Sequence, residues 1–427
     1  MELTKPNYKQ TDVGLIPDDW EIKSFSEIGA FYKGKGVKKD EVQTDGVPCV
    51  RYGELYTSYN DIITETKSFI SKRVASESFK LKFGDLLFAG SGETKSEIGK
   101  SAVVLRDDTY AGGDIVVHRS NGVNPIFLGY LSNADFVTKQ KSFNAQGDAI
   151  VHIYRKGIGN IKLPLPPTLH EQKAIANALS DVDALISSLD VLVDKKKAVK
   201  QGVMQQLLTP PHKGGKRLPG FDGEWEEKNI NELSKTFTKQ TGFDYSNHIK
   251  PTLIKKKQRG HLPFIQNKDF EGHSVNFDTD YYIPQSVALR FPMILLNEKC
   301  LMISISGSIG KVGVFNNKQM AFIGGAVSVG KFHNPSYLDW VMNYLQSEAG
   351  QNMMLKDVKA GSHQNLILDD IRKMIIPMPE LEEQLAINKI LGDMDAEIEL
   401  LETKKSKYQE IKQGMMQELL TGKTRLV

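Results

Sequence analysis

The sequence predicts an α+β protein in which two strand-rich mixed α/β domains are joined by two long antiparallel coiled-coil helices, with an internal pseudo-two-fold repeat. Three observations predict it. Blocks of the first half of the 427-residue chain recur in the second at a nearly constant offset of about 212 residues. Each half contains a proline stop followed by apolar residues spaced seven apart. The stretch ahead of each stop is cut into short β-branched and aromatic runs by Gly, Asn and Asp.

The repeat is clearest in two blocks. Glu171-Gln172-Lys173-Ala174-Ile175 returns as Glu383-Gln384-Leu385-Ala386-Ile387, and Lys200-Gln201-Gly202-Val203-Met204-Gln205 returns as Lys412-Gln413-Gly414-Met415-Met416-Gln417. Weaker echoes join Gly112-Gly113 to Gly324-Gly325, Ile98-Gly99-Lys100 to Ile309-Gly310-Lys311 and Trp20-Glu21 to Trp225-Glu226. Solenoid units run to about 20–50 residues, so a period this long reads as a duplicated domain.

Pro164-Leu165-Pro166-Pro167 and Pro377-Met378-Pro379 separate strand-rich from helical chain, because proline removes a backbone donor and blocks the preceding turn. The expected organisation is a first domain over 1–167, a first helix over 168–208, a linker over 209–220, a second domain over 221–379 and a second helix over 380–422. In the first helix Ile175, Val182, Leu189 and Val203 fall in one register with Lys196, and Ala178, Leu185, Leu192 and Val199 fill the intermediate positions. Ile387, Met394, Leu401, Tyr408 and Met415 repeat that register in the second helix. Two such helices in one chain are expected to pair; the alternative is that each packs only on its own domain. At about 1.5 Å per residue, roughly 38 residues make a rod of about 57 Å. Strands are expected over Val47–Tyr52, Asp85–Ala89, Ser101–Leu105, Cys300–Ile305 and Lys311–Phe315, and helices around Tyr130-Leu131 and Tyr337-Leu338. Thr209 to Gly220, with three prolines and three glycines, is expected to be a flexible connection.

Hydrophobic content of 40% and charged content of 25% are those of an ordinary globular chain. A net charge of +3 permits nucleic-acid binding without demanding it. No run approaches the roughly 18 apolar residues of a membrane span. A polar Met1 to Gln10 and only two cysteines, Cys49 and Cys300, lead us to expect a reducing cytoplasm.

These paired motifs resemble the specificity subunits of type I restriction-modification systems over nearly the whole chain. The features that carry the resemblance are Ile16-Pro17-Asp18-Asp19-Trp20 and Phe221-Asp222-Gly223-Glu224-Trp225 at the entries to the domains, the Pro-x-Pro stops, Glu-Gln-x-Ala-Ile at each helix start, and Lys-Gln-Gly-x-Met-Gln with Leu-Leu-Thr at each helix end. What the resemblance implies is two target-recognition domains, each reading one half of a bipartite site in double-stranded DNA. The helices would set the spacer and dock two methyltransferase subunits, to which restriction-translocase subunits are added. S-adenosylmethionine, ATP and magnesium would sit on those partners and none on this chain. The alternative is a specificity module serving a methyltransferase without a nuclease.

Catalytic patterns fail on inspection, and we expect a non-enzymatic chain. Phe88-Ala89-Gly90-Ser91-Gly92 resembles a methyltransferase cofactor loop and Asn334-Pro335-Ser336-Tyr337 its amino-adenine clamp, but they lie in different repeats and the clamp lacks a proline. Gly99-Lys100-Ser101 lacks the earlier glycine of a phosphate loop, Thr94 standing in its place. Asp18 with Glu21-Ile22-Lys23, and Asp222 with Glu226-Glu227-Lys228, leave no room for separate metal-binding strands. Nine scattered histidines and two distant cysteines show no metal-ligand spacing.

For DNA, the phosphate candidates are Lys33, Lys35, Lys38 and Lys39, and Lys255, Lys256, Lys257 and Arg259, cations on irregular chain; a solvated loop is the alternative for both runs. Arg51, Tyr52, Arg119, Gln266, Asn267, His363 and Gln364 are side-chain types suited to base edges.

Overall fold

A computed structural model describes residues 7–148, 150–356 and 365–426. The chain folds into two compact units: residues 1–190 together with 403–427, and residues 191–402.

The expected strands form, because β-branched runs bounded by glycine and proline fill pleated, doubly covered positions. In the first unit a five-stranded sheet has the order Gly29–Lys33, Ile115–Ser120, Asp85–Ala89, Ser101–Val104, Ile62–Ile63. Only its last pair is parallel. Every residue of Asp85–Ala89 and Ser101–Val104 is buried. A second five-stranded sheet contains Val47–Val50 and Tyr110–Ala111. In the second unit the corresponding sheet runs Ser234–Lys239, Val327–Phe332, Cys300–Ser304, Val312–Phe315, and a second four-stranded sheet contains His261–Ile265 and Ala321–Ile323. The registers match as well: Lys33 faces Val116 and Ala89 faces Ile115 in the first unit, as Lys239 faces Ser328 and Ser304 faces Val327 in the second. Tyr130-Leu131 lies in the helix Pro125–Ser132, and Leu338–Gln346 is helical as expected, with Tyr337 in the turn just ahead of it.

The proline stops are strands too. Lys162–Leu165 pairs with Glu21–Ser24, and Ile375–Met378 with Glu226–Asn229. Directly after them come the two long helices, Leu169–Leu207 and Leu381–Leu419. Thr168 caps the first, its hydroxyl accepting the Glu171 N–H at 3.2 Å. The Glu-Gln pair of each helix start turns out to be architectural. Gln172 donates to Pro166 O (3.2 Å) and Gln384 to Pro379 O (2.6 Å), tying helix to stop. Glu171 and Glu383 are 1% and 0% exposed, and each is met by an arginine from beyond the end of the other helix. Arg425 forks onto Glu171 and reaches Asp19 at 2.9 Å; Arg217 forks onto Glu383, with Nη2 at 2.6 Å. Arg217 belongs to the stretch expected to be a flexible connection; with Pro210 buried, the Lys216 N–H on Gln206 O at 2.8 Å and Leu218 packed on the second core, that stretch is held at several points instead.

The helices run antiparallel, for partners on one descend as the other ascends. Asp183 meets Lys412 at 2.7 Å and Asp190 meets Lys405 at 2.5 Å within the first unit, while Lys196 meets Glu397 at 2.6 Å and Lys200 meets Asp395 at 2.5 Å within the second. The seven-spaced register is the inward one: Ile175, Leu189 and Ile387 are buried, and Val182, Val203, Met394, Leu401, Tyr408 and Met415 are half-buried. The intermediate set needs correction. Leu192 and Val199 are exposed, and the companions that point inward are Leu179, Val193, Leu391 and Ile398, four residues after the register positions instead of three. The helix ends also fill the domain cores: Ile175, Leu179, Leu419 and Leu420 pack with Trp20, Phe25, Phe88 and Tyr130, and Leu207, Leu208, Ile387 and Leu391 pack with Ile230, Leu301 and Trp340. Pairing and packing on the domains therefore both occur.

Candidate nucleic-acid interface

In the first unit the ends of five segments meet on one face. Lys33 closes its strand, and Gly34 behind it donates to Ile115 O at 2.8 Å. A Cβ at Gly34 would lie 2.0 Å from Gly112 O, so only glycine fits, and Lys33 and Lys35 flank it in solvent. Gly112 donates to Val50 O at 2.9 Å, which sets Arg51-Tyr52 beside the glycine pair. The Gly90 N–H bonds Asp114 O and the Ile153 N–H bonds Gly90 O, both at 2.9 Å, bringing in the short strand Ser91-Gly92 and its partner, the returning strand Val151-His152. Ser91 Oγ and His152 Nδ1 are 2.7 Å apart. The Tyr56 hydroxyl donates to Ser91 O at 3.0 Å; burial pushes its pKa up to about 12, so it keeps its proton at neutral pH. A cleft of about 1210 Å³ opens here, lined by Tyr52, Tyr56, Ser91, Gly92, Ile150 and Gln413. Glu93, Glu97 and Lys100 also stand on the cleft, whose lining carries both signs of charge, while Lys33, Lys35, Lys38 and Lys39 are exposed outside that lining.

The second unit builds the same face with different side chains. Lys239 closes the strand equivalent to that of Lys33, and Gly324 donates to Ile265 O (2.6 Å), setting Gln266-Asn267 where the first unit has Arg51-Tyr52. Even the local cap repeats: Glu54 accepts the Arg51 N–H at 3.1 Å and Asp269 accepts the Gln266 N–H at 2.9 Å. Asn267 Nδ2 donates to Ser306 O at 3.1 Å, replacing the Tyr56–Ser91 bond. The Leu366 N–H bonds Ile305 O at 2.9 Å, as Ile153 bonds Gly90, and Ser306 pairs with Asn365. Lys239, Ser306, Gly325, Asn365 and Ile367 line a groove of about 500 Å³.

Sequence reasoning thus selected repeat-equivalent pairs, Arg51-Tyr52 and Gln266-Asn267, without seeing that they correspond. It missed Lys239, although Phe31-x-Lys33 and Phe237-x-Lys239 are a readable echo. Lys38 and Lys39 are exposed and continue the cationic edge past Lys35. Lys255, Lys256, Lys257 and Arg259 are exposed at the other end of the strand His261–Ile265 from Gln266 and Asn267, so the structure does not bring these two groups together. Arg119 has a different occupation: its guanidinium forks onto the fully buried Asp85 with two bonds of 2.7 Å and lies 4.9 Å over the Tyr32 ring. That ion pair braces the far end of the strand from Gly90. Arg51 is also partly engaged, donating to Glu54 at 2.9 Å. His363 and Gln364 lie outside the described residues.

The catalytic look-alikes have structural uses. Ser91-Gly92 forms strand pairing, and the Asn334 carboxamide caps a single turn by accepting the Ser336 N–H at 3.0 Å. Gly99 O accepts the buried Lys141 ammonium at 2.7 Å. Among the described residues no three His, Cys, Asp or Glu side chains cluster as metal ligands, and no helix is long and apolar enough to cross a membrane.

Comparison with known proteins agrees with this geometry. Residues 17–192 and 222–413 each match the type I restriction modification DNA specificity domain. The chain is 26% identical to the type I restriction enzyme MjaVIII specificity subunit of Methanocaldococcus jannaschii, over 98% of this chain and 96% of that one. It is 21% identical to the EcoKI specificity subunit of Escherichia coli K12, over 91% and 85%. In fold it is similar to the S subunit of a type I restriction-modification system from M. genitalium, with a TM-score of 0.55 at 15% identity over 97% and 99% of the two chains. A chain solved for the assembly and conformational transition of a type I system gives 0.56 at 18% identity over 96% and 99%. With two matched specificity domains spanning most of its length, a repeated face in each and paired helices following them, the chain belongs to the type I restriction-modification DNA specificity family.

Proposed function

We propose that this chain is the non-catalytic, sequence-reading member of a type I restriction-modification complex, each unit reading one half of a bipartite DNA site. The observation that carries the reading is the duplicated face: a shared strand register and the equivalent bonds of Gly112 to Val50 O and Gly324 to Ile265 O, and of Ile153 to Gly90 O and Leu366 to Ile305 O, present Lys33, Arg51 and Tyr52 in one unit and Lys239, Gln266 and Asn267 in the other. A constant scaffold with changed side chains is what two readers of different bases need, since phosphate contacts position and base contacts specify. Exposed lysines at the strand ends supply the first kind, and Tyr52, Gln266 and Asn267 the second.

The paired helices are the surface for two methyltransferase subunits. Val191, Val199 and Leu400 are 67%, 48% and 68% exposed on them, apolar area that a partner helix would cover. S-adenosylmethionine would be held by those partners, and ATP and magnesium by restriction-translocase subunits joining the same core. Mapping modified adenines in the host genome with and without the gene tests the reading. Loss of methylation at a two-part motif is the expected result; unchanged methylation, or loss at a continuous motif, would overturn it.

A further inference from the structure

We infer that two positions on the returning extended segment of each unit, residues 152 and 154 in the first and residues 365 and 367 in the second, are specificity-determining base contacts. The inference rests on the DNA-reading function proposed above.

Four observations place them there. In both units the residue between the two positions is locked to the central turn by one backbone bond, Ile153 N–H to Gly90 O and Leu366 N–H to Ile305 O, each 2.9 Å. Residues two apart on extended chain share a face, and the His152 and Tyr154 rings lie stacked at 6.1 Å. The second position is a large apolar or aromatic side chain left in solvent in both units: Tyr154 is 58% exposed and Ile367 is 63% exposed. A single exposed apolar residue is ordinary, but the same exposure at equivalent positions of diverged domains is not expected from packing, which would bury or replace it. Finally, a buried acceptor waits beside the second groove. The Gln240 side chain donates to Ile323 O, while its Oε1 is buried without a hydrogen-bond partner among the described residues, 3.7 Å from where a side chain at Gly325 would begin.

The residue types suit base edges. His152 is oriented by Ser91, and one ring nitrogen remains beyond that bond; Tyr154 offers a ring face and a hydroxyl. Asn365 can address adenine through paired donor and acceptor, and Ile367 can meet a thymine methyl. Lys33 and Lys239 at the neighbouring strand ends are placed for the adjoining phosphates.

The test uses the assembled complex purified from its host, the motif having first been read from the genome, with His152→Ala/Tyr154→Ala and Asn365→Ala/Ile367→Ala variants. Competition between oligonucleotides carrying the motif and single-base changes in each half measures discrimination. The first variant should lose about 10- to 100-fold discrimination at one or two base pairs of one half-site, and the second variant at the other, with the slope of affinity against salt unchanged. Discrimination unchanged at every base, or lost equally in both halves, overturns the inference. The milder Tyr154→Phe and Ile367→Ala single variants repeat the measurement if a double variant fails to co-purify. If deleting the gene leaves genome methylation untouched, the DNA-reading function itself fails, which is a separate outcome.

Discussion

Lys141 is 1% exposed, its ammonium donating to Gly99 O at 2.7 Å and lying 5.7 Å over the Phe88 ring. Burial lowers its pKa from 10.5 to about 7. Between those values the folded chain holds it neutral while the unfolded chain protonates it, so the unfolded state binds more protons and stability rises with pH across that window. Lys141→Met should therefore raise the melting temperature of the first unit near pH 7, and its advantage should shrink toward pH 10; an equal difference at both pH values, by calorimetry, would count against this. The arginine clamps act in the opposite sense. Arg425→Ala leaves Glu171 buried without its counter-charge, at a cost of about 3–5 kcal/mol. Hydrogen exchange should then rise around Trp20 and residues 169–179 with little change at 381–391. Arg217→Ala should give the converse pattern through Glu383, and uniform loss of protection would refute a local clamp.

The helix seam shows what the sequence carries and what it hides. Apolar residues seven apart are visible at Ile175, Val182, Leu189 and Ile387, and the structure turns all of them inward. The companion positions were misread by one residue because several are lysines: Lys200, Lys405 and Lys412 occupy seam positions, their stems covered and their charges met by Asp395, Asp190 and Asp183. A pattern read on apolar residues alone slides to Leu192 and Val199, which face solvent. The proposed reading faces were half legible for a related reason. Residue type alone singled out Arg51-Tyr52 and Gln266-Asn267, but His152 and Tyr154 reach the face through a bond from Ile153 to Gly90, a pairing across more than sixty residues that no local pattern encodes. A break in the seam should separate the two roles. Leu189→Pro removes a ladder bond and forces a clash worth about 3 kcal/mol or more. The strand domains should stay folded by circular dichroism while the methyltransferase no longer co-purifies; normal co-purification would sink the docking assignment.

At the scale of the whole chain, the first unit is assembled from both ends of the sequence. Leu419 and Leu420 complete the core around Trp20 and Phe25, Lys412 bonds Asp61 at 2.8 Å, the Tyr8 hydroxyl donates to Lys423 O at 3.1 Å, and Gly422, at φ +71°, sits where a Cβ would lie 2.6 Å from Pro17. Exchanging residues 1–167 for those of a relative with a different motif should change one half-site and leave the other as it was, because each face is built wholly within its own unit. The same exchange should lower stability unless 403–427 is taken from the same donor, since these contacts would otherwise be mismatched. Two chimaeras, with and without the matched C-terminal segment, distinguish the effects. Both should show the same new half-site by methylation mapping, and only the matched one should keep the parental melting temperature. A change in both half-sites would mean that base reading is shared between the units; equal stability of the two chimaeras would mean that the C-terminal segment is tolerant packing instead of a fitted part of the first core.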